Sequence, residues 1–423
     1  MDVELVSIGD ELLLGFTIDT NAAHFARQAA AVGIRVVRRA TVGDGAEEIA
    51  AAVRAGLERT GAVITSGGLG PTADDLTKAS IAALFGRGMT LDEGILEALR
   101  ARWQARWSRE LPEANRAQAM VPEGATILAN GHGSAPGIWL EDARGRWVAM
   151  LPGVPREFRG MLADVLLPKM IARMGGGGAT HVIRSRTLRT TGIAESAVAD
   201  ALAGIARETL GASLAYLPGW EGVDLRLTVR DLAPAEADAR LEAAAAVLRA
   251  PLTEWIYGEG DEDLAAVVVH ALRASGRTVA VAESCTGGML GMRLTAVSGA
   301  SHAVMGGVIA YDNAVKVREL GVREATLAAH GAVSVETARE MAAGVRTRFG
   351  VDVGVSITGI AGPGGGTPEK PVGTVCIGLD LGGTVSAQRI VTIGDRQEIR
   401  QRSAQAALAK VLRGLQSADS AVR

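Results

Sequence analysis

Aromatic side chains are scarce in this sequence, making up only 3% of its 423 residues, and cysteine is scarcer still, with two copies, Cys285 and Cys376. Two thiols cannot build a disulfide framework and offer no cysteine-based zinc spacing, which fits a reducing compartment. Long apolar runs are missing too. The 48% apolar fraction comes mostly from alanine and valine, and no stretch approaches the ~20 residues that a membrane-spanning helix needs. Nor is there an excess of positive charge. With a formal net charge of −3 there is no basic footprint for nucleic acid, so no nucleic-acid partner is expected and anionic ligands must be held by local groups. The opening "MDVELVSIGD" reads as an acidic strand without the basic and apolar regions of a leader, so a cytoplasmic protein with no membrane partner is expected.

Short apolar strands and amphipathic helices alternate over residues 3 to 66, the pattern of a parallel, doubly wound sheet whose ligands sit at the carboxyl ends of the strands. The glycine-rich "SGGLGPTADD" follows one such strand. A helix over roughly Arg156 to Met174 closes this first unit, and "GGGG" at 175–178 reads as a linker. The next seventy residues form a small α+β module with "LPGWEG" at a hairpin turn. Its G-x-x-G matches a nucleic-acid clamp only superficially, since Glu221 in that turn would repel phosphate. A second α/β alternation follows, to about Leu415. The expected boundaries are 1–174, 179–254 and 258–418.

Three segments of the last domain should meet, because each ends a predicted strand: "AESCTGG" (282–288), "GGVIAYDNAVKVRELGV" (306–322) and "SITGIAGPGGGTPEKPVGTV" (356–375). In the first, Gly287 and Gly288 open a helix whose amides would attract negative charge. Ser284 is well placed there as a nucleophile but needs a base. His270, His302 and His330 make weak claims to that role. Lys316, one helical turn after Asp312 and Asn313 and just beyond the strand end at Tyr311, makes a better one, as in Ser–Lys pairs. Cys285 competes with Ser284. Strand alternation sets Ser284 and Thr286 on one side and turns Cys285 toward the core. The Gly/Pro-rich segment lacks both the Walker A ending and a Rossmann glycine pattern.

Together these three blocks resemble the C-terminal domain of the CinA family, the PncC-type nicotinamide mononucleotide deamidase. The resemblance implies hydrolysis of the carboxamide of nicotinamide mononucleotide to nicotinate mononucleotide and ammonia, with no cofactor. It also implies Ser284 as nucleophile, Lys316 as base, and Thr286 and Tyr311 as supports for proton transfer or the oxyanion. Ligand contacts would come from Gly287, Gly288, Asn313, Thr358, Gly359, Gly362 and Gly364.

"SIGDELLLGFTIDTNA", "ITSGGLGPTADDLT" and "MLPGVPREF" resemble the N-terminal domain of the same family, whose fold is that of MoaB/MogA-type molybdopterin-binding proteins. The middle module corresponds to the family's small KH-like domain. The fold class is therefore α/β: a doubly wound domain, a small α+β domain and an α/β amidase domain. For the first domain the resemblance implies an ADP-ribose pyrophosphatase dependent on a divalent metal (Mg, Mn or Co). Clustered carboxylates would serve such an activity. Asp75 is the first choice, fixed by the following helix beside Gly67, Gly68 and Gly70, with Asp74, Asp10 and Glu157 as further ligands; one of Asp74 and Asp75 is expected instead to cap that helix. A homodimer is implied. Two rival readings are a partner-binding role in competence and recombination, as the family's name suggests, and molybdopterin binding by the first domain.

Overall fold

The structure, a computed structural model, describes residues 1–175, 181–205 and 210–422. Beyond Gly175, the glycine run expected as a linker lies outside the described residues. The chain divides into two compact units, Met1–Arg184 with Val229–Ala239, and Ser185–Thr228 with Arg240–Arg423.

The N-terminal strands are β1 (Asp2–Ile8), β2 (Arg35–Val42), β3 (Ala62–Ser66), β4 (Met89–Leu91), β5 (Met120–Pro122), β6 (Thr126–Leu128), β7 (Gly137–Glu141) and β8 (Trp147–Leu151). Six of them form a sheet in the order β2-β1-β3-β8-β7-β6, and β4 pairs with β5 separately. The first four of that sheet are parallel and the last two antiparallel. Alternate residues face opposite layers, as the two-residue strand period requires. Val3, Leu5 and Ile64 pack with Phe25 and Phe158, while Val6, Ile8 and Val63 pack with Ile49 and Val53. The helix expected over 156–174 is present, with a π-helical turn at Leu162–Leu166.

The small domain contributes β9 (Val182–Thr190), β10 (Ser213–Pro218), β11 (Val223–Leu232) and β12 (Ile256–Glu259), in sheet order β10-β11-β9-β12. The expected hairpin is there: β10 pairs antiparallel with β11, and Gly219 N–H donates to Gly222 O at 2.8 Å.

The C-terminal sheet runs β14-β13-β15-β16-β17, built from β13 (Val279–Glu283), β14 (Val304–Ile309), β15 (Val353–Gly359), β16 (Thr374–Leu381) and β17 (Thr384–Val391). Strand β13 is central and parallel to both β14 and β15. Val279 and Val281 face one apolar layer, with Val268 and Leu272 of the helix Leu264–Ala274, whereas Ala280 and Ala282 face Met341 and Val345. The last helix, Arg396–Val422, begins with a reciprocal capping box between Asp395 and Glu398. Among the described residues no helix is long and apolar enough to cross a membrane.

Candidate active sites

Parallel pairing brings the carboxyl ends of β13, β14 and β15 side by side, so the three sequence blocks do converge. Strand β13 stops at Glu283, before all three residues to which strand alternation was applied, and Ser284 to Gly288 form a turn. All three side chains of interest are consequently enclosed, Ser284 at 8%, Cys285 at 6% and Thr286 at 0% exposure. Cys285 belongs to the main apolar cluster, and burial pushes its thiol up to about 12. Thr286 Oγ1 is buried without a hydrogen-bond partner among the described residues, an unusual state for a hydroxyl.

The expected use of the helix amides needs correcting. Buried Glu283 accepts from the N–H groups of Gly288 (3.1 Å), Leu290 (3.0 Å) and Gly291 (2.8 Å), while Gly287 N–H donates to Ser284 O at 3.0 Å. A carboxylate of the chain itself therefore neutralises the start of this short helix, Met289–Thr295. The amides of Gly287 and Gly288 are already committed.

Lys316 is 1% exposed. Its Nζ donates to Ala310 O at 2.9 Å and Tyr311 O at 3.2 Å, and burial lowers its pKa against the smaller opposing effect of Asp312. Ala310 also ties this amine to the end of β13, because its N–H donates to Glu283 O at 2.7 Å. A neutral amine has two N–H donors and one lone pair, so two carbonyl acceptors use both donors and leave the lone pair free. The histidines are engaged elsewhere or outward: His302 Nδ1 lies 3.2 Å from Gly299 O, His330 Nδ1 lies 3.9 Å from Glu336, and His270 is exposed.

Two arginines absent from the sequence reading complete this site. Arg396 donates to Gly362 O at 2.5 Å and to the Tyr311 hydroxyl at 2.9 Å, and Arg400 donates to Thr286 O at 2.7 Å. Spaced four apart at the start of the last helix, they share one face. Thr358 is buried and its hydroxyl donates to Ala332 O at 2.8 Å, so it braces a loop; Gly359 ends β15 with no room for a Cβ against Thr374 O. Asn313 is exposed at the first turn of the helix capped by Asp312, and Gly364 faces open space.

In the N-terminal unit, a cavity of about 490 Å³ opens at the ends of β1, β3 and β8 and is lined by Gly67, Gly68, Gly70, Asp74, Asp75 and Glu157, among others. Glycine is required at the strand end: a Cβ on Gly67, at φ +113°, would lie 2.2 Å from Ile8 O, and one on Gly68 would lie 2.0 Å from Thr77 Oγ1. Asp10 does not line this cavity. It starts a short helix and exchanges backbone–carboxylate bonds with Asp44, which does.

Neither Asp74 nor Asp75 caps the following helix, whose N-cap is Leu76 with no side-chain bond. Asp75 instead accepts from Gly70 N–H (2.7 Å), Thr72 N–H (2.8 Å) and the Thr72 hydroxyl (2.5 Å), closing the glycine loop on itself. Asp74 is held below the usual carboxylate range by hydrogen bonding to Thr72, and Glu157 accepts from Asn130 at 2.6 Å. Among the described residues no group of three or more His, Cys, Asp or Glu is placed to hold a metal ion.

Lys78, also absent from the sequence reading, is buried beside this cavity, with Nζ donating to Ala117 O at 2.6 Å and Gln118 O at 3.3 Å. Burial lowers its pKa to about 8, with Asp75 opposing. Since the folded-state value lies below the unfolded one, the unfolded chain binds the extra proton between about pH 8 and 10.5, and stability rises with pH over that window. The rise attributable to Lys78 is expected to reach about 3 kcal/mol. Denaturation midpoints of the native protein and Lys78→Met, compared from pH 7 to 10.5, should shift relative to each other in favour of the native protein as pH rises; a constant difference would contradict this.

Family models match three consecutive stretches: "Probable molybdopterin binding domain" over residues 4–172, "Damage-inducible protein CinA KH domain" over 185–258 and "CinA C-terminal domain" over 261–415. A CinA-like protein of Gemmatimonas aurantiaca is 62% identical over 424 residues, covering 100% of this chain and 99% of the relative. One of Salinibacter ruber is 43% identical over 417 residues, covering 98% and 100% respectively. Among solved structures, a competence-damaged protein (CinA) superfamily protein from Klebsiella pneumoniae is 35% identical and covers 36% of this chain and 96% of its own, with a TM-score of 0.36.

Proposed function

The chain belongs to the CinA family, and on that premise we propose that its C-terminal domain hydrolyses the carboxamide of nicotinamide mononucleotide to nicotinate mononucleotide and ammonia. The observation that carries this reading is Lys316, a buried amine of lowered pKa whose Nζ donates to two carbonyl oxygens and, among the described residues, meets no carboxylate at hydrogen-bonding distance. In the proposed reaction Ser284 Oγ attacks the carboxamide carbon while Lys316 takes the hydroxyl proton. The tetrahedral intermediate collapses as that proton passes to the nitrogen, breaking the C–N bond and releasing ammonia. Water, deprotonated by the same amine, then cleaves the acyl ester and restores Ser284. With the helix amides committed to Glu283, the unpartnered Thr286 hydroxyl is the donor assigned to the oxyanion. Arg396 and Arg400, which meet carbonyl and hydroxyl oxygens there, supply positive charge for the substrate phosphate, with Tyr311 held in place by Arg396.

For the N-terminal domain we propose a phosphorylated substrate, ADP-ribose. The supporting observation is the glycine loop at the end of β3, locked by Asp75 beside a cavity large enough for a nucleotide portion. The metal requirement implied by the family resemblance is tested by chelation.

The deciding experiment is an assay of ammonia release from nicotinamide mononucleotide and of phosphate-ester products from ADP-ribose, each with and without EDTA. Ammonia release is expected to persist in EDTA, whereas ADP-ribose hydrolysis is expected to stop. Asp75→Ala should abolish only the latter. Absence of ammonia from the untreated protein, or loss of both activities in EDTA, would overturn the amidase reading.

A further inference from the structure

A cavity of about 760 Å³ in the C-terminal unit is lined by neither Ser284 nor Lys316. One wall is the helix Arg396–Val422, on a stretch beyond the one that carries Arg396 and Arg400; the others come from β17, the segment after β9 and the Trp220–Gly222 turn. Its charge is lopsided. Arg402, Lys410 and Arg413 line it, and among the described residues none of them has a hydrogen-bonding or ion-pair partner. Arg402 Nε is fully enclosed and, among the described residues, unpartnered. Lys410 is half-buried, and nothing but burial moves its pKa, which falls. The lining carboxylate, Glu221, is already paired with Arg189 and lies 3.7 Å from Arg293.

The floor is ordered. Buried Gln405 accepts from Arg293 at 2.8 Å and approaches Thr191 Oγ1 at 3.3 Å, while the Arg293 guanidinium lies 5.2 Å from the Trp220 ring centroid. Partly burying Arg402 and Lys410 as uncompensated cations is unfavourable unless an anion completes the site, and exposed Arg413 extends the positive charge to its rim. From Arg402 to Arg413 the helix rises by about 16 Å, longer than a lone phosphate needs. Trp220 adds an aromatic surface on which a base can stack.

We propose that this cavity binds a nucleoside polyphosphate, its phosphates along Arg402, Lys410 and Arg413 and its base against Trp220. Its lining includes none of the residues assigned to either proposed catalytic centre. Calorimetric titration of the full chain with ATP, pyrophosphate and adenosine, in the absence of added metal, tests it. The native protein is expected to bind ATP more tightly than pyrophosphate. Arg413→Glu, at an exposed position that leaves the fold undisturbed, should weaken ATP binding at this site by about tenfold or more, and Lys410→Met should act in the same direction. Trp220→Leu should weaken ATP but leave pyrophosphate unchanged, a split that general loss of structure would not produce. ATP binding unaffected by Arg413→Glu and Lys410→Met would overturn the site, and equal binding of ATP and pyrophosphate would overturn the nucleoside assignment. Ammonia release measured on the same samples reports separately on the amidase reading.

Discussion

Replacing Ser284 with alanine is expected to lower ammonia release from nicotinamide mononucleotide by about 10³-fold or more, with the melting temperature nearly unchanged. The expectation of intact folding follows from where the residue's bonds lie. Among the described residues the hydroxyl makes no hydrogen bond, whereas the backbone N–H donates to Ile357 O at 2.9 Å and the carbonyl accepts from Gly287. Alanine keeps both and retains Cβ. The loss would therefore report on chemistry. The control is Cys285→Ala, which removes a sulfur from the apolar cluster and should cost about 1 kcal/mol of stability while leaving turnover within a few-fold. A thiol held near 12 is almost wholly protonated at neutral pH, hence a poor nucleophile. If the cysteine variant were silent and the serine variant active, the nucleophile would be misassigned. Ammonia release unaffected in both would remove the turn from the reaction and favour the partner-binding reading of the family.

How much of this was legible in the sequence follows from the range over which each feature is determined. Strand periodicity is local, so the doubly wound N-terminal pattern, the hairpin around "LPGWEG" and the convergence of three strand ends could be read directly. Side-chain capture is different. Glu283 looks like an ordinary strand-end acid, yet its burial next to a glycine turn makes it the acceptor for three amides that would otherwise have faced a ligand. Asp75 resembles an N-cap, but the glycine loop folds back far enough to take its carboxylate first. Lys78 has the spacing of a solvated helix lysine, and only the packing of residues 117 and 118 encloses it. Arg400 lies 114 residues from Thr286. No local pattern reports such a pairing, although the i, i+4 arginines after "GD" at the start of a predicted helix were a signal for a cationic face.

Lys316→Met carries the second large effect, a fall in ammonia release of about 10²–10⁴-fold, the range for loss of a general base. Methionine fills a similar volume without the amine. It removes the cost of burying a charge but leaves Ala310 O and Tyr311 O without a donor, so the two contributions to stability oppose each other and the melting temperature should move little. Lys316→Arg should fail equally, because a guanidinium stays protonated throughout the accessible range and cannot accept the serine proton. The pH dependence supplies the sign. A base works when neutral, and burial lowers the Lys316 pKa below that of an ordinary lysine, so kcat/KM should rise with pH, level off above that lowered value, and be lost as pH falls through it. Neutralising Asp312 by Asp312→Asn withdraws the nearby negative charge that favours the protonated amine. The inflection should therefore move to lower pH, and activity at neutral pH should hold or increase. A shift to higher pH, or a profile identical in Lys316→Met, would assign the titration to another group. Because asparagine also caps helices well, the first turn of Asn313–Leu320 should survive the substitution, leaving the inflection as a measure of charge alone.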